Sequence, residues 1–218
     1  MKTEIIPAIN VNTFQEVEEK LNVLKEAFVG ASDAPEWVQI DVADGSFTDD
    51  TRWHNPDDLS GIDTEFRVEL HLMIDNIDNQ IEKWFSPFVH RIIFHLETSD
   101  QPSETIRKIK EKGFQVGIAI KPGGRWEEFV PYLEDVDLVQ FLAVTPGKSG
   151  DKMQEQILDD ISDFSVQYPL IPIQIDGGIT KENIEEANAA GAGLIVAGSA
   201  IFGAKNIARA YSNLVDSI

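Results

Sequence analysis

Short apolar runs rich in β-branched residues alternate along this chain with longer segments in which apolar residues recur at helical spacing. Segment 13–29 shows the helical pattern, with apolar residues at Phe14, Val17, Leu21 and Leu24. The short runs predict eight β-strands, at residues 4–9, 37–42, 66–73, 91–96, 115–120, 138–144, 171–176 and 193–197. Helices are predicted at residues 13–29, 76–85, 103–112, 125–133, 152–167, 181–190 and 199–215, with a short one near 56–59.

The regular alternation of strands and helices favours a parallel sheet. Eight strand–helix units in a chain of 218 residues fit an α/β protein of the (β/α)₈ TIM-barrel class, with all strands parallel and residues 1–218 forming one domain. An open, doubly wound sheet is the alternative. No linker or low-complexity segment marks a domain boundary.

The amino-acid composition excludes several classes of function. The chain has no cysteine, which excludes disulfides and thiolate chemistry. Its net charge of −20 argues against a nucleic-acid partner and against an anionic membrane surface. No apolar stretch approaches the roughly 20 residues of a membrane helix, and no signal peptide is visible, so we expect a cytoplasmic protein. An anionic substrate would need a locally favourable site built from backbone N–H groups.

In a barrel of this class, the loops that follow the strands build the active site. Glycine-rich turns follow the seventh and eighth predicted strands, at Gly177-Gly178 and Gly198-Ser199, each before a predicted helix. Glycines there let backbone N–H groups approach a ligand, and a helix N-terminus attracts anions, so these turns predict a phosphate site. The loop at residues 146–150 could close over the ligand, and its Lys148 could offset the negative charge of the protein.

Three ionisable residues stand at strand ends that face one another across the predicted barrel: Asp41, His71 and Asp176. Two carboxylates on opposite sides of a ligand suit removal of a proton from one face and its return on the other. An imidazole with two carboxylates also suits a divalent cation. Taken singly, a strand-end aspartate is more often a helix cap and a strand-end histidine more often a structural residue.

These residues carry a resemblance to the ribulose-phosphate 3-epimerase family, with motifs in that family's order from about residue 7 to 202. V-Q-I-D-V-A-D-G-S-F at 38–47 resembles the family's H-x-D-x-M-D-G-x-F, and V-E-L-H-L-M at 68–73 resembles its DVHLM strand. The other similar segments are P-A-I-N at 7–10, V-T-P-G at 144–147 with Gly150, I-D-G-G-I at 175–179 and A-G-S-A-I-F at 197–202.

The resemblance implies interconversion of D-ribulose 5-phosphate and D-xylulose 5-phosphate by two aspartates, Asp41 and Asp176, acting on opposite faces of C3. It implies one divalent ion, zinc, iron or manganese, with Asp41, His71 and Asp176 as ligands. Gln39 stands where the family has its remaining ligand histidine, and completes the implied set. The implied substrate and phosphate contacts are Asn10, His71, Met73, Gly147, Gly150, Gly177, Gly178, Gly198 and Ser199. The family commonly forms dimers or larger assemblies, so a homo-oligomer is expected.

Departures from the family pattern keep other functions open. An amide oxygen at Gln39 suits harder cations than zinc, and Ala43 in place of a methionine implies a larger cavity, which would admit a hexulose phosphate such as allulose 6-phosphate. A second hypothesis is another phosphate-binding barrel enzyme, such as a decarboxylase or an aldolase-type lyase. The third is a barrel that binds a sugar phosphate without catalysis.

Overall fold

The computed structural model describes residues 3–147 and 150–218. Eight parallel strands close into one barrel in chain order, which confirms the predicted (β/α)₈ class. The strands are β1 (Glu4–Ile9), β2 (Trp37–Ala43), β3 (Arg67–Met73), β4 (Val89–His95), β5 (Gln115–Ile120), β6 (Leu138–Leu142), β7 (Ile173–Asp176) and β8 (Leu194–Ala197). The predicted segments locate all eight strands, and the bounds of β1 and β5 agree with the prediction at both ends.

Six α-helices pack around the barrel within the described residues: α1 (Phe14–Ala27), α2 (Pro102–Glu111), α3 (Gln156–Gln167), α4 (Ile184–Ala190), α5 (Ser199–Phe202) and α6 (Ile207–Val215). The start of α1 is fixed by a capping box, in which Thr13 and Glu16 each satisfy the other's backbone N–H. Three buried residues of α1, Val17, Leu21 and Leu24, form the apolar face that the sequence predicts. In the part of the chain that is described, no helix is long and apolar enough to cross a membrane.

Two predicted helices are wrong in type. Segment 76–85 forms two short 3₁₀ turns, Ile77–Asn79 and Ile81–Trp84, and Asn76 before them has the left-handed φ of 52°. Segment 125–133 is also 3₁₀, over Trp126–Tyr132, because Pro131 lacks an N–H and disfavours helical geometry in the residue before it. Short 3₁₀ turns also occur at Pro56–Gly61, as predicted, and at Leu96–Thr98.

Three other helices begin or divide where the sequence pattern did not indicate. The last predicted helix, 199–215, is two helices, α5 and α6, since the chain leaves the helix at Gly203 and Asn206 caps a new one through a bond from the N–H of Arg209 at 2.9 Å. Helix α3 begins at Gln156 and α4 at Ile184. Five residues of loop and turn therefore separate the Gly177-Gly178 turn from α4. The prediction that this turn lies at a helix N-terminus is wrong.

Candidate active site

The register of the strands brings the predicted ionisable residues to one level of the barrel. Asp41 and His71 are direct partners in the β2–β3 pair, and Asp176 is the last residue of β7. All three are buried and face the same space inside the barrel mouth. One ligand atom from each lies within 4.8 Å of those of the other two. The barrel thus joins residues that are 30 to 135 positions apart in the chain.

His71 lies between the two carboxylates. Its Nδ1 is 3.2 Å from Asp41 Oδ1 and 3.2 Å from Asp176 Oδ2. Its other nitrogen, Nε2, is 2.9 Å from Nε2 of His95. Two imidazole nitrogens can bond only when one of them carries a proton, so a protonated His71 that donates to both carboxylates and to a neutral His95 accounts for these three contacts.

The electrostatic surroundings of the two histidines favour this arrangement. Burial alone would lower the pKa of His71, but the bonds to Asp176 and Asp41 outweigh it and raise the pKa to about 9. Burial lowers the pKa of His95 to about 4, with only partial compensation by Glu97. Burial also raises the pKa of Asp176, and the charge of Asp41 adds to that rise. The site therefore concentrates negative charge that needs a positive partner.

Two buried amides complete the ring of donors around the carboxylates. Gln39 Nε2 donates to Asp41 Oδ1 at 2.8 Å and to Asp176 Oδ2 at 2.7 Å. Gln140 Nε2 donates to the same Asp176 oxygen at 3.1 Å. Among the residues that the structure describes, Oε1 of each glutamine has no hydrogen-bond partner. Each amide thus donates to Asp176 and keeps an oxygen that has no partner.

The donor set fits a divalent cation. Asp41, His71 and Asp176 supply two carboxylates and an imidazole, the ligands that zinc, iron and manganese accept. If the amide of Gln39 turned about its terminal bond, Oε1 would replace Nε2 beside both carboxylates, where a cation would favour it. The turn would break no bond of Oε1, but it would give up the two bonds from Nε2, so it requires a bound cation between the amide oxygen and the carboxylates.

A pocket opens directly above these groups at the barrel mouth. Its lining includes every predicted substrate and phosphate contact, namely Asn10, His71, Met73, Gly147, Gly150, Gly177, Gly178, Gly198 and Ser199, together with Asp41 and Asp176. Gln39 and Ala43 are not among the residues that line the pocket, and the larger cavity expected at Ala43 stays a prediction. Lys148, predicted to offset negative charge, lies outside the described residues.

Glycine is required at the turn after β7. Gly177 and Gly178 have φ of 109° and 69°, in the range that residues with a side chain rarely adopt. A Cβ atom on Gly178 would lie 2.2 Å from the backbone nitrogen of Met153, so the loop after β6 could not approach the turn. This close packing brings the loops after β6 and β7 together at one side of the pocket.

Two residues that contact the site, Gln140 and Arg52, were not predicted from the sequence. Gln140 is polar in the otherwise apolar strand β6, and that inward-facing polar residue was the available signal. Arg52 lies in a polar loop that offered no recognisable pattern, and only the structure places it beside Asn10 and Gly147.

Solved structures share the barrel. The chain superposes on 3-hexulose-6-phosphate synthase from Salmonella typhimurium with a TM-score of 0.66 and 16% identity, covering 98% of this chain and 97% of that one. For orotidine 5'-monophosphate decarboxylase from Sulfolobus solfataricus, the TM-score is 0.57 at 15% identity, with 99% and 97% covered. At these identities the likeness shows the fold alone.

Sequence relatives are more informative. The cytoplasmic isoform of ribulose-phosphate 3-epimerase from Oryza sativa is 33% identical over 84% of this chain and 82% of that protein. Ribulose-phosphate 3-epimerase from Mycobacterium tuberculosis H37Rv is 31% identical over the same shares. The profile of the ribulose-phosphate 3-epimerase family matches residues 4–202, nearly the whole chain. These matches confirm the resemblance and the predicted class of enzyme, an isomerase: the chain belongs to the ribulose-phosphate 3-epimerase family.

Proposed function

We propose that this enzyme interconverts D-ribulose 5-phosphate and D-xylulose 5-phosphate by proton transfer at C3. The observation that carries the proposal is the pair Asp41 and Asp176, buried on different strands and facing one pocket, each held by Gln39. Epimerisation needs a base on one face of a carbon and an acid on the other. Asp41 and Asp176 are two carboxyl groups at the barrel mouth that suit these two roles.

In the forward direction, one ionised aspartate takes the proton from C3, and the C3–H electron pair moves toward the C2 carbonyl to give an enediolate. The other aspartate, protonated at the start, donates its proton to C3 from the opposite face. The configuration at C3 is thereby inverted, and the two carboxyl groups exchange roles for the reverse reaction. Burial and the charge of Asp41 raise the pKa of Asp176, so this carboxyl group holds a proton more readily than an exposed aspartate does.

A divalent ion would be held by Asp41, His71 and Asp176, with Gln39 as the fourth ligand. When bound, it would supply positive charge against the negative charge that develops on the substrate oxygens. Because Gln39 offers an amide and not an imidazole, we expect manganese or iron to bind better relative to zinc than at a histidine site. His71 contributes positive charge by its proton in the absence of a metal.

The phosphate group would lie at the turns Gly177-Gly178 and Gly198-Ser199, where glycines permit close approach of the backbone. Gly147 and Gly150 would contact it from the loop after β6. Asn10 and Met73 would contact the sugar near the reacting carbon.

The decisive experiment measures turnover of D-ribulose 5-phosphate by metal-stripped enzyme to which Zn²⁺, Mn²⁺ or Fe²⁺ is returned. Asp176→Asn should lower kcat by about 10²–10⁴-fold, because the carboxyl group that transfers the proton is removed while the shape is kept. Asp163→Asn, on the exposed face of α3, is the matched control and should leave kcat unchanged.

Allulose 6-phosphate in the same assay tests the second candidate substrate. Turnover of allulose 6-phosphate alone would replace the pentose assignment. If the protein bound both sugars but turned over neither with any metal, the hypothesis of a barrel that binds a sugar phosphate without catalysis would be supported instead. A cytoplasmic location, a homo-oligomeric state and the absence of a nucleic-acid partner stay predictions.

A further inference from the structure

Arg52 lies behind the pocket wall, in the loop that follows β2. Its backbone N–H donates to Ala43 O at 2.7 Å, which fixes the loop to the end of that strand. Its side chain is only 17% exposed, although most of the polar residues in this loop are exposed. A chain with so many acidic residues offers an arginine many carboxylates, so the partners of this one are informative.

The closest partners of the guanidinium are neutral oxygens. Nε donates to Asn10 Oδ1 at 2.5 Å, Nη2 to the carbonyl of Gly147 at 2.6 Å and Nη1 to the carbonyl of Thr51 at 2.7 Å. The nearest carboxylate, that of Asp50, is 3.8 Å away and half exposed. The planar fork of an arginine can hold several acceptors in fixed directions, which a point charge cannot. Geometry, more than charge, therefore explains the position of Arg52.

The bond to Asn10 has a consequence for Asp41. Once Arg52 occupies Asn10 Oδ1, the amide must present its NH₂ group to Asp41, and Asn10 Nδ2 donates to Asp41 Oδ2 at 2.8 Å. The other oxygen of Asp41 accepts from Gln39, so both carboxylate oxygens are held by donors. If the Asn10 amide turned over, its oxygen would face a carboxylate oxygen and repel it.

The bond to Gly147 extends the same chain of contacts to the other side of the pocket. Gly147 is buried, lines the pocket and has a φ of 82°. One side chain thus contacts the loop after β6 and the residue that orients Asp41, and it fixes the separation of the two.

We infer that Arg52 is a positioning residue that ties Gly147 to Asn10 and, through Asn10, sets the direction of Asp41. This role rests on the proposed function, in which Asp41 transfers a proton and Gly147 contacts the phosphate. The two bonds have separable effects. Loss of the Asn10 bond misdirects Asp41 and lowers kcat, and loss of the Gly147 bond weakens substrate binding and raises KM.

A double-mutant cycle on turnover tests the link to Asp41. Arg52→Met should lower kcat by about 10–100-fold, since small misplacements of a reacting group carry costs of that order. In the Asn10→Ala background, the same change should lower kcat by less than about threefold, because the contact from Arg52 to Asp41 through Asn10 is already lost. KM should rise in both backgrounds. Equal losses of kcat in the two backgrounds would overturn the inference.

Two further variants separate geometry from charge. Arg52→Lys keeps the positive charge but cannot contact Asn10 and Gly147 at once, so it should lower kcat as much as Arg52→Met does. Full activity in Arg52→Lys would show that only the charge matters and would overturn the inference. Arg209→Met, the same chemical change at an exposed position of α6, is the matched control and should leave kcat and KM unchanged.

Amide hydrogen exchange provides a readout that does not depend on activity. In Arg52→Met, peptides that cover residues 8–12 and 143–147 should exchange at least about tenfold faster than in the wild type and in Arg209→Met. If the wild type turned over neither ketose phosphate, the proposed function would fail, and this exchange measurement alone would decide whether Arg52 joins the two segments. Unchanged exchange in both peptides would refute the connection.

Discussion

A buried ion pair lies inside the barrel below the candidate active site. Glu69 is 0% exposed and Arg91 is 7% exposed, with Arg91 Nη1 2.5 Å from Glu69 Oε2. Gln174 Nε2 donates to the other oxygen of Glu69 at 2.6 Å, and Arg91 Nε donates to Gln115 Oε1 at 3.0 Å. The guanidinium carbon is 3.8 Å from the ring centroid of Trp37. Both charged groups, Glu69 and Arg91, are therefore stabilised by an ion pair and by hydrogen bonds to glutamines.

Arg91→Met removes the cation and leaves a carboxylate in the barrel interior. Burial raises the pKa of Glu69, and Arg91 is the largest influence that acts against this rise. Breaking a fully buried pair typically costs about 3–5 kcal/mol, because the remaining charge is neither solvated nor paired. We expect a loss of about 3 kcal/mol in the free energy of unfolding at pH 7. This is the lower end of that range, because the bond from Gln174 to Glu69 persists.

Urea unfolding, followed by tryptophan fluorescence and circular dichroism, gives this free energy. The double variant Glu69→Gln/Arg91→Met removes both charges and should recover all but about 1 kcal/mol of the loss, because neutral groups of similar volume cost little there. A single variant within about 1 kcal/mol of the wild type, or a double variant no more stable than the single one, would refute the reasoning.

Two other predictions concern a loop and the metal site. Partial burial raises the pKa of Asp78, but bonds from two hydroxyl groups and two backbone N–H groups at the start of α2 outweigh burial and lower it. The stabilisation by this carboxylate is therefore present above the unfolded pKa of about 3.9 and is lost as pH falls through the folded pKa. Asp78→Asn should therefore cost about 1 kcal/mol at pH 7 in thermal or urea unfolding, since water screens this partly exposed carboxylate. The difference from the wild type should shrink below pH 4, and a constant difference would contradict this origin. Gln39→His should raise the affinity for Zn²⁺ by about 10–100-fold in calorimetric titration, and an unchanged affinity would show that residue 39 is not a ligand.

The order of apolar and polar residues along the chain is enough to predict the barrel. Strands buried on both faces read as short apolar runs, and helices show one apolar face, so the positions of all eight strands follow from local pattern. The sequence also placed Asp41, His71 and Asp176 at strand ends, which in a closed barrel share one rim. Local pattern failed where tertiary contacts decide the helix type, as in segment 76–85, where Asp78 bonds to the start of α2.

The contacts that hold the site together cannot be predicted from the sequence. Gln140 and Arg52 reach Asp176 and Asn10 from strands and loops that are distant in the chain, and no spacing along the sequence encodes such contacts. The tilt and register of the strands set which inward-facing residues meet at one level of the barrel. A carboxylate's partners depend on distances of a few ångströms through space, and those are fixed only when the barrel closes.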